Sequence, residues 1–462
     1  MSSWQQGDGC FFTGSGWRKC KETLICQSRN LGWWFQKSGA PCRDRMPGTW
    51  DTVWRLAGIL FWLAGWLGLL AGGTPAWSAG FALVQQGTAA MGQGNAFVAE
   101  ANDPSAIFYN PAGLTQLTRT QIYQGTFFNY PDREFQGQGG SSQTNHRLFH
   151  TPTVYIAGPV HQRVTLGLGL FTPFGLGTMW PPNWPGRFIT TFSKLRTFNV
   201  NPTVAVKVRD NLSLAAGVNM LWSAVDLKRM IFPLNRESYV SGNGMGVGYN
   251  LGALYEPIPG VKLGVHYRSE INVKHRGTLS IHPPIIPDIT GSANLTFPPS
   301  VTFGTAYSRI KPFTFLFDVT WTGWSTFDQL RIDLGRPLFG ARSLVTPKDW
   351  RDAWAFRFGA NYEIKPGIKV RAGYIYDMTP VPDHTFDPQL PDANRHVFTI
   401  GKEFKYKRFT FSAAYNYILF ENRTKNNTIT SNGAPVAPPA LQANGRYSSD
   451  VHSLGVSMAF QF

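Results

Sequence analysis

The stretch SLGVSMAFQF, residues 453–462, alternates strictly between two kinds of side chain. Large apolar residues take every second position, and serine, glycine, alanine or glutamine fill the positions between them. Successive side chains of a β-strand point to opposite faces, so the stretch predicts a strand with one apolar and one hydrophilic face. In a soluble sandwich the apolar face would be the core, whereas in a membrane barrel it would face lipid.

The same period of two recurs from about residue 121 to the last residue, for example over 313–322 and 354–364. Short and long interruptions alternate along this region, which predicts fourteen antiparallel strands with tight turns at one rim and extended loops at the other. The short breaks fall near residues 158–163, 209–211, 257–260, 308–311, 365–367 and 405–407. The long breaks fall near residues 131–150, 175–191, 230–243, 281–291, 333–350, 378–395 and 422–447.

The composition favours the membrane alternative. Charged residues make up only 15% of the chain and aromatic residues 14%, with 48 glycines. A soluble protein with so many aromatic and so few charged side chains would tend to associate, whereas a membrane barrel needs aromatic girdles. A helical membrane protein is excluded because no apolar run of about 18 residues follows residue 79. We therefore expect an all-β, fourteen-stranded antiparallel transmembrane barrel, with no cofactor and no nucleic acid partner.

The N-terminal part contains one long apolar run, LAGILFWLAGWLGLLAGG over residues 56–73. Its basic flank and the small residues after it predict a signal peptide cleaved before Ala79, within a leader of residues 1–78. The alternative is a membrane anchor of marginal length. All four cysteines lie in residues 1–45, upstream of Met46, which would give a conventional start. Start-codon mutagenesis would show whether residues 1–45 are translated.

Residues 79–117 precede the first strand and lack its pattern. Within them, DPSAIFYNPAG at 103–113 contains two prolines, which forbid a regular helix or central strand. The apolar residues of this stretch nevertheless need burial. A fourteen-stranded barrel encloses a lumen too wide for its own side chains to fill, so residues 79–117 are the natural candidate for a plug, followed by the barrel over 118–462.

Several motifs resemble the FadL family of outer-membrane transporters for hydrophobic compounds. They occur in collinear order at residues 79–81, 92–114, 183–188, 201–208, 267–270, 321–327, 373–383 and 391–395, and in the terminal strand. The resemblance implies a fourteen-stranded barrel with an N-terminal hatch that carries an Asn-Pro-Ala motif, here Asn110, Pro111 and Ala112. It also implies passive uptake by lateral diffusion, in which the ligand leaves through a gap made by a kink in the third strand.

Candidate gate residues follow from this resemblance. The third strand would be residues 164–177, and its kink would lie at Pro173, Phe174 and Gly175, although Pro173 could instead mark only the end of the strand. Asn110 could form a simple Asx turn or take part in gating. Asp103 is assigned to the hatch as a turn or cap residue. We expect residues 110–112 to touch the bent third strand near Pro173.

Candidate ligand-binding residues lie in the loop over 175–192 and at charged lumen positions. The loop is expected to face outward, so that its large apolar side chains form a hydrophobic capture site, or alternatively an aromatic girdle or the packing of loops against one another. Its arginine could pair with a ligand carboxylate, tie loops together or bind lipopolysaccharide phosphates. The other cations could belong to a structural salt network. The full set is Phe171, Met179, Trp180, Trp184, Arg187, Phe188, Arg268 and Lys348.

The function expected from these patterns is passive transport of long-chain fatty acids or other hydrophobic compounds by a monomer in the Gram-negative outer membrane, in contact with lipid and lipopolysaccharide. Uptake of aromatic hydrocarbons is an alternative, since both cargo classes use an apolar groove. A barrel lipase would need a serine, histidine and acid on the outer face, and no such spacing stands out. A general porin would lack residues 79–117.

Overall fold

The computed structural model describes residues 80–145 and 147–462. The predicted signal peptide, its cleavage site before Ala79 and all four cysteines lie outside the described residues. The prediction of an upstream leader therefore stays a prediction.

Fourteen strands form the wall of the molecule. Five of them, the third and the seventh to the tenth, are each interrupted once by a short non-strand stretch. In chain order they are β1 Gln121–Gly137, β2 Phe149–His161, β3 Val164–Phe171 with Gly175–Met179, β4 Phe192–Arg209, β5 Leu212–Ile231, β6 Arg236–Ile258, β7 Val261–Arg268 with Ile271–His282, β8 Ile289–Phe297 with Ser300–Tyr307, β9 Phe313–Thr322 with Gln329–Leu338, β10 Ala341–Pro347 with Ala353–Lys365, β11 Ile368–Asp377, β12 Arg395–Tyr406, β13 Phe409–Phe420 and β14 Gly445–Gln461.

Each strand pairs antiparallel with the next along the chain, and the last pairs with the first. Strand β14 runs against β1 from Gln121 opposite Gln461 to Gly137 opposite Gly445, which closes the sheet. The prediction of a closed fourteen-stranded antiparallel barrel is confirmed. Closure leaves no edge strand with unpaired backbone groups at membrane depth, where water could not satisfy them.

The two faces of the wall differ as the alternation predicts. On β14, Leu454 and Val456 are 47% and 38% exposed on the outside, whereas Ser453 is only 1% exposed. On β12, Phe398 and Ile400 are likewise exposed and Thr399 is buried. Such a continuous belt of exposed apolar side chains is unfavourable in water and favourable in lipid. The lumen side carries the hydrophilic set.

Two predicted long loops are instead strand hairpins. Residues 230–243 are strand except for a turn at 232–235, and residues 333–350 contain a tight turn at 339–340 between strand segments. The expectation of loops there was wrong because these hairpins extend beyond the apolar belt of the wall. Their apolar residues, among them Val240, Leu338 and Leu344, belong to a hydrophobic cluster and not to that belt, so the alternation of the belt does not continue into them. The six predicted short turns are present at one rim.

Residues 80–117, here called the N-terminal segment, contain only short helices: α1 Thr88–Gly92, α2 Ala106–Tyr109 and a 3-10 helix Pro111–Gln116. None of the helices in the described part of the chain has the length and apolarity needed to cross a membrane. Most residues of the segment are buried against the lumen faces of the strands. Small elements outside the wall are 3-10 helices Trp324–Thr326, Asp383–Thr385 and Pro439–Leu441 and strands Gly140–Gln143, Arg423–Lys425, Thr430–Ser431 and Ala434–Pro435.

Candidate functional site

The interruption in β3 breaks the ladder between two neighbouring strands. The pairing of β2 with β3 ends at Val154 opposite Leu170, and the second segment of β3 pairs with β4 alone. Phe171 lies opposite Asn199 and Gly175 opposite Arg196, so three residues of β3 face two of β4. One residue is therefore in excess, which is the definition of a β-bulge.

The N-terminal segment binds the backbone groups that the interruption leaves without ladder partners. Its first residues run alongside the break as a short antiparallel bridge between Ala82 and Phe174. A buried backbone group without a partner would be costly, so these contacts stabilise the broken strand. The bonds run from Gly175 N to Phe81 O at 2.8 Å, from Leu83 N to Pro173 O at 2.8 Å and from Gln86 Nε2 to Thr172 O at 2.6 Å.

The Phe81 ring occupies the centre of a buried aromatic cluster. Five aromatic rings surround it with centroid distances from 4.6 to 6.1 Å, mostly in edge-to-face arrangements, which are the favourable ones. The surrounding rings are those of Phe174, Phe297, Trp324, Phe327 and Trp350. The cluster joins the N-terminal segment to four wall strands, β3, β8, β9 and β10.

A first cavity, here called the upper cavity, lies on the side of Phe81 nearer the long loops and has an empty volume of about 1000 Å³. Its walls are mainly aliphatic, with contributions from β5, β7 and β8 such as Val225, Leu279 and Leu295. Lys348 also lines it, and its Nζ donates to Asp387 Oδ2 at 2.6 Å and to Gln389 Oε1 at 3.0 Å. The charge of this buried lysine is therefore compensated.

A second cavity, here called the lower cavity, has an empty volume of about 890 Å³ and lies on the other side of Phe81. Pro173 and Phe174 of the β3 break form part of its wall. Adjacent residues of the N-terminal segment therefore line different cavities, since Phe81 lines the upper and Leu83 the lower. The Phe81 cluster divides the two spaces.

Arg268 of β7 lies in the lower cavity with a side chain that is almost fully buried. Its Nη1 donates to Asn219 Oδ1 at 2.5 Å and its Nη2 to the carbonyl of Phe108 at 3.2 Å. The guanidinium also lies 5.0 Å from the Phe108 ring and 5.6 Å from the Phe171 ring, within the range of cation–π contacts. Phe171 and Arg268, both predicted ligand residues, are thus brought together, and Lys348 lies in the other cavity.

The loop after β3 is folded inward. Trp180 and Trp184 are stacked 4.3 Å apart and are only 2% and 1% exposed, and their indole Nε1 groups donate to the carbonyls of Pro388 and Thr190. Phe188 is also buried. The expectation that this loop presents exposed apolar groups was wrong, and the alternative of loop packing describes it. The rings can be buried because both indole N–H groups have backbone acceptors inside the packed loops.

Two other predicted ligand-binding residues, Arg187 and Met179, lie in the same stretch of the chain. The guanidinium of Arg187 lies 4.6 Å from the Phe188 ring and contacts the Trp184 carbonyl, so it ties the loop to itself. Met179 is half-buried at the end of β3. A ligand contact of Arg187, Met179, Trp180, Trp184 or Phe188 stays a prediction.

The asparagine of the Asn-Pro-Ala motif is hydrogen-bonded within the N-terminal segment and to β6. Asn110 Nδ2 donates to the carbonyls of Val98 and Ala253, the latter on β6, and its Oδ1 accepts from Ala112 N. The 3-10 helix that begins at Pro111 also lies against the first segment of β3. The expected contact of residues 110–112 with β3 near Pro173 stays a prediction, and the hydrogen bonds at the break come from the residues that begin the N-terminal segment. The Asx-type bond to Ala112 explains why Asn precedes Pro111 at the start of the 3-10 helix.

Asp103 caps the turn that precedes α2. Its Oδ1 accepts from Ser105 N at 2.7 Å and from Ser105 Oγ at 2.6 Å. Burial raises the pKa of the Asp103 carboxyl from its ordinary value of 3.8 to about 6. The Asp103 carboxyl therefore stabilises the turn before α2, and its charge changes near pH 6.

Sequence reasoning missed several lumen residues that define the lower cavity: His266, Asp318 and Arg357. The sequence did contain a signal for His266, because His266 and Arg268 are two positions apart on one strand and therefore share a face. Their proximity to strands β9 and β10 was not readable, because it depends on how the barrel closes.

A model of the family described as outer membrane protein transport protein (OMPP1/FadL/TodX) matches residues 69–462. The chain is 24% identical over 396 residues to a 47 kDa outer membrane protein of Pasteurella multocida, covering 78% of this chain and 89% of that one. It is 25% identical over 350 residues to a long-chain fatty acid transport protein of Salmonella typhi, covering 67% and 80%.

Solved structures share the fold. A Pseudomonas aeruginosa FadL homologue superimposes with a TM-score of 0.74 at 22% identity, covering 83% of this chain and 100% of that one. The Ralstonia pickettii toluene transporter TbuX gives 0.62 at 17% identity, covering 81% and 98%. The match of the family model over most of the chain, together with the closed barrel, places the protein in the Gram-negative outer membrane as a member of the OMPP1/FadL/TodX family of transporters of hydrophobic compounds.

Proposed function

We propose that the protein takes up hydrophobic compounds passively by lateral diffusion. The compound enters the upper cavity, passes the Phe81 cluster into the lower cavity and leaves sideways into the bilayer at the β3 break. The observation that carries this proposal is the end of the β2–β3 ladder at Val154 and Leu170, beside a cavity wall that contains Pro173. An apolar molecule gains free energy by leaving water for lipid, so a sideways exit suits such a cargo.

The N-terminal segment is proposed to close the lumen, with Asn110, Pro111, Ala112 and Asp103 holding its fold and Phe81 acting as the movable part. Its hydrogen bonds to Pro173 and Gly175 must break before the β3 opening can widen. Deleting residues 79–117 should convert the barrel into a pore with measurable small-solute conductance in planar bilayers. An unchanged conductance would contradict the closing role.

The transport proposal is tested by uptake of radiolabelled oleate and toluene in a strain that lacks the protein, with and without a plasmid-borne copy. Uptake of at least one compound should rise when the copy is present. If neither rises, the transport proposal fails. Uptake of toluene alone would favour aromatic hydrocarbons, the alternative cargo. Uptake of either compound requires no enzymatic activity.

Within the membrane we propose a monomer whose outer rim contacts lipopolysaccharide phosphates. Lys274 and Arg276 support this contact, since they are exposed on the second segment of β7, beyond the exposed apolar Tyr249 and Val247 of the neighbouring strand. Native mass spectrometry of the detergent-extracted protein would give both the oligomeric state and retained lipopolysaccharide.

A further inference from the structure

We propose that the rim formed by the six short turns, here called the turn rim, binds the headgroup phosphate of an anionic phospholipid, with Lys402 of β12 as the central cation of the site. This site lies on the lipid-facing side of the wall and outside both cavities. The inference is therefore independent of the cargo and of its route. It gives the protein a defined lipid partner in the inner leaflet of the membrane.

The six short turns lie side by side along one rim of the barrel. A backbone hydrogen bond of 2.7–3.2 Å joins each turn to the next, and these bonds run from Lys207 N to Arg163 O, Glu256 N to Asn211 O, Ser308 N to Gly260 O, Glu363 N to Pro312 O and Lys405 N to Gly367 O. The short turns of outer-membrane barrels face the periplasm. The turn rim therefore meets the inner leaflet, whose headgroups are those of phospholipids.

The turn rim carries an excess of positive charge. Exposed arginine or lysine side chains lie at or beside five of the six turns, and none of them forms an ion pair with another described residue. Asp210 and Glu363 are the exposed acidic side chains at these turns. The exposed cations are Arg163, Arg209, Arg309, Lys311, Lys365, Lys405, Lys407 and Arg408.

The charges of the opposite rim are arranged differently. Acidic and basic side chains occur there together, and several are joined in ion pairs. Lys228 Nζ lies 2.8 Å from Glu237 Oε1, and Arg423 Nη2 lies 2.7 Å from Asp383 Oδ1. An anion near the barrel is therefore attracted more strongly to the turn rim, where the cations have no acidic partners among the described residues.

The position of Lys402 favours a lipid over a soluble partner. Lys402 is exposed on the outer face of β12 between Ile400 and Phe404, which are 61% and 44% exposed. Its ladder partners on the neighbouring strands are Val370 of β11 and Ala413 of β13. Lys402 therefore lies within the apolar belt, where lipid surrounds the wall and an acidic soluble protein has no access.

A lysine on the lipid face is unfavourable unless its charge reaches the headgroups. The flexible stem of Lys402 can extend along the wall towards them, since the exposed ring of Tyr406 marks the interface further along β12. Lys402 has no acidic partner among the described residues, so a phosphate oxygen would supply the missing counter-charge. Lys407 and Arg408 of the adjoining turn add to the attraction.

The wall beside Lys402 also offers a surface for an acyl chain. An apolar groove runs over the outer face of β8 to β11, with aromatic rings such as Phe358 and Tyr374 beside the small side chains of Ala360 and Ala372. Ala372 is two positions from Val370, the ladder partner of Lys402, so both share the outer face. A chain that hangs from a headgroup at Lys402 can therefore pack into this groove.

The test measures the binding of single lipid molecules to the detergent-purified full chain by native mass spectrometry. It compares dioleoyl phosphatidylglycerol, which is anionic, with dioleoyl phosphatidylcholine, which is zwitterionic and has the same acyl chains. The wild type should bind phosphatidylglycerol more tightly. K402M should lower the affinity for phosphatidylglycerol about fivefold, the contribution of one cation near a lipid surface, and leave the affinity for phosphatidylcholine unchanged. K402R, which keeps the charge, should retain the wild-type affinity.

The matched control is R342M, which removes an exposed cation from the β9–β10 hairpin at the opposite rim. It should change the affinity for neither lipid. K402M removes a charge from the lipid face, so it should fold, and its heat-modifiable mobility in gels checks this. Equal affinities of the wild type for the two lipids would overturn the proposal, as would an equal loss of both in K402M.

A second variant separates a lipid site from a site for a soluble acidic partner. K407Q/R408Q removes the cations of the adjoining turn, outside the apolar belt, and should also lower the affinity for phosphatidylglycerol. The loss should be present in both K402M and K407Q/R408Q, because one headgroup is attracted by all three cations. A loss in K407Q/R408Q without a loss in K402M would place the anion outside the membrane and overturn the proposal.

Discussion

The breaks in β3 and β8 both contain proline, yet they differ in their effect on the wall. At the β8 break, Phe297 pairs with Ile271 and Ser300 pairs with Arg268, so two residues face two and the ladder with β7 resumes in register. Both segments of β8 also pair with β9. At the β3 break three residues face two, and pairing with β2 does not resume.

The difference shows that proline alone does not open a barrel. Proline removes one ladder donor in either place, and the β8 break tolerates this because β8 resumes pairing with both neighbours, in register with β7 and with a shift of three residues against β9. At the β3 break an added residue and the loss of one neighbour accompany the proline. The lost neighbour is replaced there by residues 81–83 of the N-terminal segment, which belong to no wall strand.

Deletion of Pro173 is the strongest test of the difference between the β3 and β8 breaks. The deletion makes β3 continuous in register with β4, so the ladder with β2 can extend through the break. Each added ladder bond contributes about 1 kcal/mol, so two bonds alone would slow a lateral opening by about thirtyfold. Uptake of oleate by cells should fall accordingly, while the heat-modifiable mobility of the folded barrel stays normal.

The matched control for this deletion is P299A in the β8 break. Its carbonyl accepts from Gly323 N and is retained in alanine. Uptake should stay at the wild-type level. Equal uptake by the Pro173 deletion and the wild type would show that cargo does not leave at the β3 break.

Phe81→Ala tests what holds the N-terminal segment at the break. Truncation of a buried phenylalanine typically costs about 3–5 kcal/mol, and the Phe81 ring has five aromatic neighbours. Hydrogen exchange at the amides of Leu83 and Gln86 should become faster in F81A. In F81L, which keeps most of the apolar volume, the change should be much smaller. Unchanged exchange in F81A would assign the docking to the backbone bonds alone.

The break in β10, residues 348–352, is held by an ion pair and offers a third comparison. The side chains of Lys348 and Asp387 are 6% and 7% exposed, so K348M would leave a buried carboxylate without its partner. We expect a loss of about 3 kcal/mol in unfolding free energy, measured by urea denaturation in lipid vesicles. The double variant K348M/D387L should recover part of the loss, and a double variant as unstable as K348M would contradict this reasoning.

The smallest expected effect concerns Asp103. Its pKa is raised to about 6 in the folded protein, so the carboxyl favours the docked segment while protonated and loses this contribution as the pH rises through 6. Allowing for its partial exposure, the difference is about 1 kcal/mol. Amide exchange of residues 105–109, corrected for its intrinsic pH dependence, should show more protection at pH 5 than at pH 8. D103N should abolish that difference.

The sequence predicts the wall well and the site only in part. Strand β14 could be assigned because one of its faces meets lipid and the other does not, as Leu454 and Ser453 show. The extra residue at the β3 break was not readable, because it exists only relative to the register of β4. Trp180 was expected to be exposed because its acceptor, the carbonyl of Pro388, is distant in sequence, and Trp184 is buried with it by stacking of the two rings.

The bulge at the β3 break has a consequence for how such a protein can arise. Because the bulge absorbs the extra residue, the residues after it keep the register with β4 that an uninterrupted strand would give them, with Leu176 opposite Leu195 and Thr178 opposite Ser193. One inserted codon therefore alters the wall at a single place and leaves the hydrophobic pattern on either side intact. The lateral opening proposed for this barrel could thus be gained or lost by the insertion or deletion of a single codon.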